Sequence, residues 1–209
     1  HYHDQVSQVT RPLALVTGGV RRLGAAIAAL LAEAGYDLAL SSHGDGTPEA
    51  LLAGAIEKSG VAWKHFGANL ADPASAGGLI EQVAGHFGRA PDLLVNNAAM
   101  FGQDDWQTMD ATSLDAHFRL NLFSPLLLTK AVVEATGEDA QPCIVHILDQ
   151  RVVNPNGDQL SYTLSKQALA ASVRSMAAAL GNRARVNGVA PGLVIPTDDY
   201  DVGQMEGLA

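Results

Sequence analysis

The chain has 209 residues, a formal net charge of −9 and a single cysteine. This length supports one domain with a sizeable core, and we predict a single domain over 1–209. An acidic chain is a poor fit to nucleic acid, which needs clustered Lys and Arg. One cysteine excludes a disulfide framework and a cysteine-rich zinc site, so no metal is predicted, and no run approaches the ~20 apolar residues of a membrane span.

Cys143 lies in the apolar run "CIVHIL" and is predicted to be a small core residue. The first ten residues, "HYHDQVSQVT", are polar and lack the apolar centre of a signal peptide. The single cysteine, the lack of a membrane span and the polar start together predict a cytoplasmic setting without a membrane partner.

Short apolar runs alternate along the chain with longer alanine-rich segments of helical period. The predicted strands are 13–18, 37–42, 61–68, 92–97, 143–148 and 185–191. The predicted helices are 22–34, 47–59, 73–87, 112–135 and 161–180. Several strands are apolar nearly throughout, which is typical of parallel strands buried on both faces. Strict alternation predicts right-handed βαβ units, hence a doubly wound α/β sheet in three αβα layers.

Ligands of such sheets bind outside the carboxyl ends of the strands, where the strand order reverses. Polar residues at the predicted strand ends therefore form the candidate site. They are Thr17 to Gly24, Ser41 to His43, Asn69, Asn96 to Phe101, Asp149 to Arg151, and Pro191 to Gly192.

The stretch "VTGGVRRLG", 16–24, predicts a glycine turn between the first strand and the first helix. Its glycines permit a tight turn with exposed backbone N–H groups, and the helix points its positive end at the same place. A diphosphate is the natural occupant of such a turn, although an ordinary βα turn remains an alternative.

The second strand ends in "SSHGDG", with no acid at its tip. Enzymes that use NAD usually place Asp or Glu there to hold the ribose hydroxyls. Ser41, Ser42 and His43, with Arg21 or Arg22 across the turn, favour the 2′-phosphate of NADP over NAD. Asp45 nearby weakens this reading, and a polar loop with two solvated arginines is the alternative.

"DLLVNNAAMF" places Asn96 and Asn97 at the tip of a buried strand. Adjacent amides at this place either face a cofactor or cap the strand, because Asn tolerates unusual turn dihedrals. Phe101 follows the turn, either as a core aromatic or as an exposed plate on which a flat ring stacks.

In "SYTLSK", Tyr162 and Lys166 are four residues apart on one face of a predicted helix. A phenol with a pKa near 10 is a weak acid–base catalyst at neutral pH. A neighbouring ammonium favours the phenolate, so Lys166 is expected to lower the pKa of Tyr162.

Five segments, "TGGVRRLG", "NNAAMF", "NLFSPLLLTKA", "YTLSK" and "RVNGVAPG", resemble the short-chain dehydrogenase/reductase family in order and spacing, from about Pro12 to Ile195. The resemblance implies a Rossmann-type fold, a nicotinamide cofactor and an active site of Asn121, Tyr162 and Lys166. By that resemblance Tyr162 transfers a proton, Lys166 holds the nicotinamide ribose, and Asn121 supports a water relay. It also implies a homotetramer.

Two departures resemble the pteridine reductase branch, which includes bacterial dihydromonapterin and dihydrofolate reductases of this fold. Arg22 replaces the usual glycine, and Asp149 replaces the usual serine. In that branch the arginine lies over the cofactor phosphates and the substrate edge, and the aromatic matching Phe101 stacks on the pterin. The predicted substrate contacts are Arg22, Phe101, Asp149 and Tyr162. The predicted contacts with NADPH or NADP are Gly18, Arg21, Arg22, Leu23, Ser41, Ser42, His43, Asn69, Leu70, Asn97, Ala98, Tyr162, Lys166, Pro191 and Gly192.

The presence of Asp149 in place of the usual serine has a chemical explanation. A pterin presents a C=N bond whose nitrogen needs a proton as hydride reaches carbon, and a carboxyl beside Tyr162 can hold and relay that proton. A surface acid paired with Arg151 is the alternative.

Three functions follow: an NADPH-dependent reductase of a pterin-like small molecule, a general carbonyl or 3-oxoacyl reductase, or an NADP-binding protein without turnover. Ala99 and Gly44 depart from the branch, since relatives often have a serine and a basic residue there. The sequence also ends before the last helix and strand usual in the family, so we expect either the C-terminal part or an internal stretch to be missing.

Overall fold

The computed structural model describes residues 10–192, which form a parallel sheet of six strands covered by helices on both faces. The strands are β1 (Leu13–Thr17), β2 (Asp37–Ser42), β3 (Trp63–Gly67), β4 (Leu93–Asn96), β5 (Cys143–Ile147) and β6 (Arg185–Val189). The helices are α1 (Arg22–Glu33), α2 (Ala50–Ser59), α3 (Ser75–Phe87), α4 (Ala111–Phe118), α5 (Ser124–Ala135) and α6 (Leu160–Leu180). The predicted doubly wound α/β fold is confirmed.

The strand order is β3-β2-β1-β4-β5-β6, with every neighbouring pair parallel. The order reverses beside β1, where the chain first builds outward to β3 and then returns to β4. All carboxyl ends therefore lie along one edge of the sheet, with the crevice of a doubly wound fold between β1 and β4.

Two apolar clusters pack against opposite faces of the sheet, and β1 contributes to both. Leu13 and Leu15 face one cluster, while Ala14 and Val16 face the other, and all four side chains are fully buried. This explains why the run at 13–16 does not alternate between apolar and polar residues. Within residues 10–192, no helix combines the length and apolar character needed to cross a membrane.

The helix predicted at 112–135 is divided by a π turn at Arg119–Phe123. Pro125, near the start of α5, has no N–H to complete an α-helical hydrogen bond with the carbonyl of Asn121. A π turn widens the helix by one residue at that place and carries the Asn121 side chain inward. The C-terminal alternative for the missing stretch concerns residues outside the described part of the chain.

Candidate functional site

A cavity of about 1010 Å³ opens at the carboxyl edge of the sheet, where the strand order reverses. It brings together nearly all the residues predicted from the sequence. Those that line it are Gly18, Arg21, Arg22, Leu23, Ser41, Ser42, His43, Asn69, Leu70, Asn97, Ala98, Phe101, Asp149, Tyr162, Lys166, Pro191 and Gly192. Asn121 is not in this lining. The roles assigned to the lining residues remain predictions.

The turn after β1 is built so that backbone segments touch. Gly18 has a φ of +60°, and a Cβ at Gly24 would lie 1.9 Å from the carbonyl oxygen of Gly18. Asn97 braces the turn, because its Nδ2 donates to the carbonyl oxygens of Thr17 at 2.9 Å and Gly18 at 3.2 Å. The Asn97 side chain combines features of both alternatives. It lines the cavity, and it also ties the end of β4 to this turn.

Asn96, by contrast, turns away from the cavity into the protein. Its Nδ2 lies 3.1 Å from Nδ1 of His146 in β5, and both side chains are buried. The cofactor-facing interpretation therefore fails for Asn96, since successive residues of a strand point to opposite faces.

Both arginines of the turn are exposed at the rim of the cavity. Arg22 has a φ of +51°, and its backbone N–H donates to the Glu49 carboxylate at 2.9 Å. Arg21 forms an exposed ion pair with Asp45, with 3.7 Å between Nη2 and Oδ2. Asp45, which weakens the NADP interpretation of the sequence, thus pairs with one of the two arginines.

The serines that end β2 differ in their surroundings. Ser41 is fully buried, and its hydroxyl has no hydrogen-bond partner among residues 10–192. The Ser42 hydroxyl lies 2.8 Å from Nε2 of His65 in β3 and donates to the carbonyl of Asp45 at 3.2 Å. His43 is exposed beside them.

Two ionisable side chains, the Tyr162 phenol and the Asp149 carboxylate, form a hydrogen bond in the cavity. The phenol of Tyr162, which is 6% exposed, donates to Oδ2 of Asp149 at 2.8 Å. Asp149 is half-buried, and its other oxygen accepts the backbone N–H of Arg151 at 2.8 Å. The Arg151 guanidinium forms an ion pair with Asp158 at 2.8 Å. Asp149 is therefore a cavity residue next to Tyr162, and the surface-acid alternative is wrong.

The expected lowering of the Tyr162 pKa is wrong, because the net shift has the opposite direction. Burial, together with the charge of Asp149 and the hydrogen bond to it, raises the pKa of Tyr162. The Lys166 ammonium lies 5.9 Å from the centre of the Tyr162 ring and donates to the carbonyl of Ile147 at 2.7 Å. Burial lowers the pKa of Lys166 to about 8, against a smaller raising effect of Asp149. A phenol with a raised pKa keeps its proton at neutral pH, as a proton donor requires.

The Asn121 side chain connects two elements of the fold through hydrogen bonds. It is fully buried in the π turn, and its Oδ1 accepts the backbone N–H of Met100 at 2.7 Å. Its Nδ2 donates to the carbonyl of Met100 and to Ser165 Oγ, each at 3.0 Å. The side chain thus fastens the segment after β4 to α6, which is a different use from the water relay that the resemblance implies.

Phe101 is the exposed plate rather than a core residue. Its side chain is 48% exposed, and its ring meets the Tyr162 ring edge to face with 5.0 Å between centroids. An aromatic face next to the phenol suits a flat substrate ring.

Gln159 lines the cavity but was not predicted. It directly precedes α6 with a φ of +52°, is 1% exposed, and its Oε1 has no partner among residues 10–192. Glutamine has no special preference for left-handed backbone, so the sequence carries no signal for it.

The chain is similar to known proteins over most of its length. The sequence pattern of the short chain dehydrogenase family matches residues 12–201. Pteridine reductase 1 of Leishmania tarentolae is 30% identical over 94% of this chain and 81% of its own length. The FolM alternative dihydrofolate reductase 1 of Brucella canis, solved in complex with NADP, is 36% identical with a TM-score of 0.86, covering 94% of this chain and 78% of that one. A 3-oxoacyl-[acyl-carrier protein] reductase from Brucella melitensis has 32% identity and a TM-score of 0.82, covering 95% and 82%.

Proposed function

The chain belongs to the short-chain dehydrogenase family, and we propose that within this family it reduces a C=N bond of a pterin or dihydropterin with NADPH. The hydrogen bond between Tyr162 and Asp149 carries the proposal. A carbonyl reductase must stabilise a developing alkoxide, and an ionised carboxylate beside it would oppose that charge. A C=N nitrogen needs a proton instead, and here two adjacent acidic groups can supply one.

The residues of the cavity fit a dinucleotide. Gly18 and Gly24 bring the backbone of the turn into close contact at the N-terminus of α1, where the helix dipole favours a pyrophosphate. Arg21 and Arg22 lie at the same rim, which suits a 2′-phosphate and the pyrophosphate charge. NADP complexes of similar Brucella proteins support this choice of cofactor. When bound, the cofactor supplies hydride.

The protein's own groups handle the proton. Tyr162 retains its proton because burial and Asp149 raise its pKa, so the phenol donates to the substrate nitrogen as hydride reaches carbon. Asp149 is half-buried and in hydrogen-bond contact with the phenol, so it passes a replacement proton from solvent to Tyr162. Lys166 places a positive charge at the base of the cavity, where the nicotinamide ribose is expected.

Phe101 and Arg22 position the substrate in this proposal. The flat pterin ring stacks on Phe101, whose half-exposed ring already lies against Tyr162. The Arg22 guanidinium, exposed at the rim, meets the polar edge of the heterocycle. In this proposal the arginine that replaces the usual glycine of the turn contributes to substrate binding.

The test is NADPH oxidation, followed at the nicotinamide absorbance, with dihydrobiopterin, dihydromonapterin and dihydrofolate. We expect turnover of at least one of them, and we expect Asp149→Ala to reduce it by about 100-fold or more. Unchanged turnover in Asp149→Ala would show that Asp149 has a structural role only. NADPH binding without turnover of any dihydropterin would refute the substrate class.

A second candidate is reduction of a 3-oxoacyl or other carbonyl substrate. It is favoured by the similarity to the Brucella melitensis 3-oxoacyl reductase, which covers nearly the whole chain. The same assay with a 3-oxoacyl thioester distinguishes the two, since only this candidate predicts faster turnover of the thioester than of any dihydropterin.

A further inference from the structure

The helix that carries Tyr162 begins without a cap of its own. Gln159, at the N-cap of α6, has left-handed backbone, φ 52° and ψ 45°, and its side chain makes no capping hydrogen bond. A good N-cap residue has extended backbone and accepts a hydrogen bond from the first turn. The free N–H groups at the start of α6 therefore need an acceptor from elsewhere.

Asp104, in the segment between β4 and α4, supplies that acceptor. Its Oδ1 accepts the backbone N–H of Ser161 at 3.1 Å, and its Oδ2 accepts the Ser161 hydroxyl at 2.5 Å. Its backbone carbonyl accepts the N–H of Leu160 at 3.3 Å. The Ser113 hydroxyl of α4 also donates to Oδ2, at 3.0 Å. An anionic carboxylate at a helix N-terminus is stabilised by the helix dipole and by charge-assisted hydrogen bonds.

The same segment carries Phe101, three residues before Asp104. The Phe101 ring packs on Tyr162, and Asp104 holds Ser161, the residue directly before Tyr162. Residues 101–104 thus contact the first turn of α6 at two neighbouring points. The hydrogen bonds of the Asp104 carboxylate therefore help to fix the separation between the Phe101 ring and the Tyr162 phenol, alongside the contacts of Asn121 with Met100 and Ser165.

We propose that Asp104 is a positioning residue for the reaction, because it ties the Phe101 segment to the helix that carries Tyr162. The inference rests on the proposed role of Tyr162 as proton donor. Asp104 does not line the cavity, so it acts through Phe101 and Tyr162 and not by touching substrate. A displacement of about 1 Å between reacting groups can lower a rate ~100-fold.

The experiment compares Asp104→Ala with Asp110→Ala. Asp110 caps α4 by accepting the Ser113 N–H at 2.7 Å, so both variants remove the carboxylate of a helix cap. We expect Asp104→Ala to lower kcat at least about 10-fold and to raise the KM for the dihydropterin, with the Kd for NADPH unchanged. Asp110→Ala should leave all three close to wild type. Equal losses in the two variants would overturn the proposal.

Asp104→Asn provides a variant that keeps the fold. An asparagine oxygen still accepts the Ser161 N–H, but the amide nitrogen cannot accept the hydroxyls of Ser161 and Ser113. We expect an unfolding midpoint near wild type and a kcat between those of wild type and Asp104→Ala. A wild-type kcat in Asp104→Asn would refute the role of the paired hydroxyl contacts.

A second measurement does not depend on turnover. Hydrogen exchange should accelerate in Asp104→Ala at both 101–104 and the first turn of α6, and in Asp110→Ala only at the start of α4. If wild type reduces no dihydropterin, the proposed function fails, while exchange still tests the coupling between the two segments. Faster exchange at only one of the two segments in Asp104→Ala would overturn the inference.

Discussion

The phenol of Tyr162 donates a 2.8 Å hydrogen bond to Asp149, and the negative charge of Asp149 helps to raise the pKa of that phenol. In the proposed reduction of a C=N bond, this pair holds the proton that the nitrogen needs when hydride reaches carbon.

Replacing Asp149 with serine tests whether this pair selects the substrate. We expect Asp149→Ser to lower dihydropterin turnover by about 100-fold, because the second acid is lost while Tyr162 keeps its ring contacts. We also expect the pKa of Tyr162 to fall toward its ordinary value, since a raising charge has been removed. Steady-state rates across pH measure the first, and ultraviolet titration of Asp149→Ser against Asp149→Ser/Tyr162→Phe measures the second.

Faster ketone reduction by Asp149→Ser would contradict this prediction. If Asp149→Ser reduces ketones faster than wild type does, and dihydropterins as fast as wild type does, the results support a carbonyl reductase over a pterin reductase. Intact NADPH binding in both proteins provides the control, because Asp149 is not among the predicted cofactor contacts.

Phe101 offers a test of substrate stacking. Phe101→Leu keeps an apolar side chain but removes the ring, so we expect the KM for a dihydropterin to rise about 10-fold with a smaller change in the Kd for NADPH. Trp106→Leu is the matched control, since Trp106 lies in the same connecting segment, is 74% exposed and does not line the cavity. Similar KM values in Phe101→Leu and wild type would contradict stacking on this ring.

The strands could be predicted well from the sequence because parallel strands buried on both faces consist of uninterrupted apolar residues. The run at 13–16 is an example, and each predicted strand lies within two residues of an observed one. Strand ends also placed the turn after β1, Asn97 and Asp149 at one edge of the sheet, because parallel strands carry their carboxyl ends together.

Features that depend on distant partners could not be predicted. The π turn places Asn121 within hydrogen-bond distance of Met100 and Ser165, which are distant in sequence, and a single π turn shifts the helical periodicity by only one residue. Alternation along β4 implies that Asn96 and Asn97 face opposite ways, but only packing against His146 decides which one leaves the cavity. The pKa of Tyr162 depends first on burial, and spacing from a lysine says nothing about burial.

Asp45 is expected to weaken NADPH binding through its ion pair with Arg21. Asp45→Asn keeps an oxygen for the Thr47 N–H and hydroxyl that now bind the carboxylate, but removes the charge. We therefore expect the Kd for NADPH to fall about 2- to 5-fold, with little change for NADH, because only NADPH has a 2′-phosphate to meet Arg21.

Fluorescence titration at low and high salt measures both constants. The gain should shrink at high salt because the groups are exposed. Asp115→Asn is the control, since Asp115 forms an exposed ion pair with Arg119 outside the cavity lining. An equal change for NADH and NADPH would show that Arg21 does not meet a 2′-phosphate.

His146 should make the protein sensitive to acid. Its ring is fully buried in β5, and burial, with a smaller effect of the Lys166 charge, lowers its pKa to about 4. In the unfolded chain a histidine has a pKa of about 6.5. Between these values the unfolded chain binds a proton that the native protein does not, so the free energy of unfolding falls as the pH falls.

His146→Gln removes this contribution, because glutamine stays uncharged and its oxygen can accept the hydrogen bond that Asn96 makes to the ring. We expect the slope of unfolding free energy against pH to decrease by up to ~1.4 kcal/mol per pH unit between about pH 6.5 and about pH 4. Urea unfolding across that range measures the slope, with His43→Gln as the same exchange at an exposed position. Equal slopes in wild type and His146→Gln would mean that the buried ring carries a proton in the native protein.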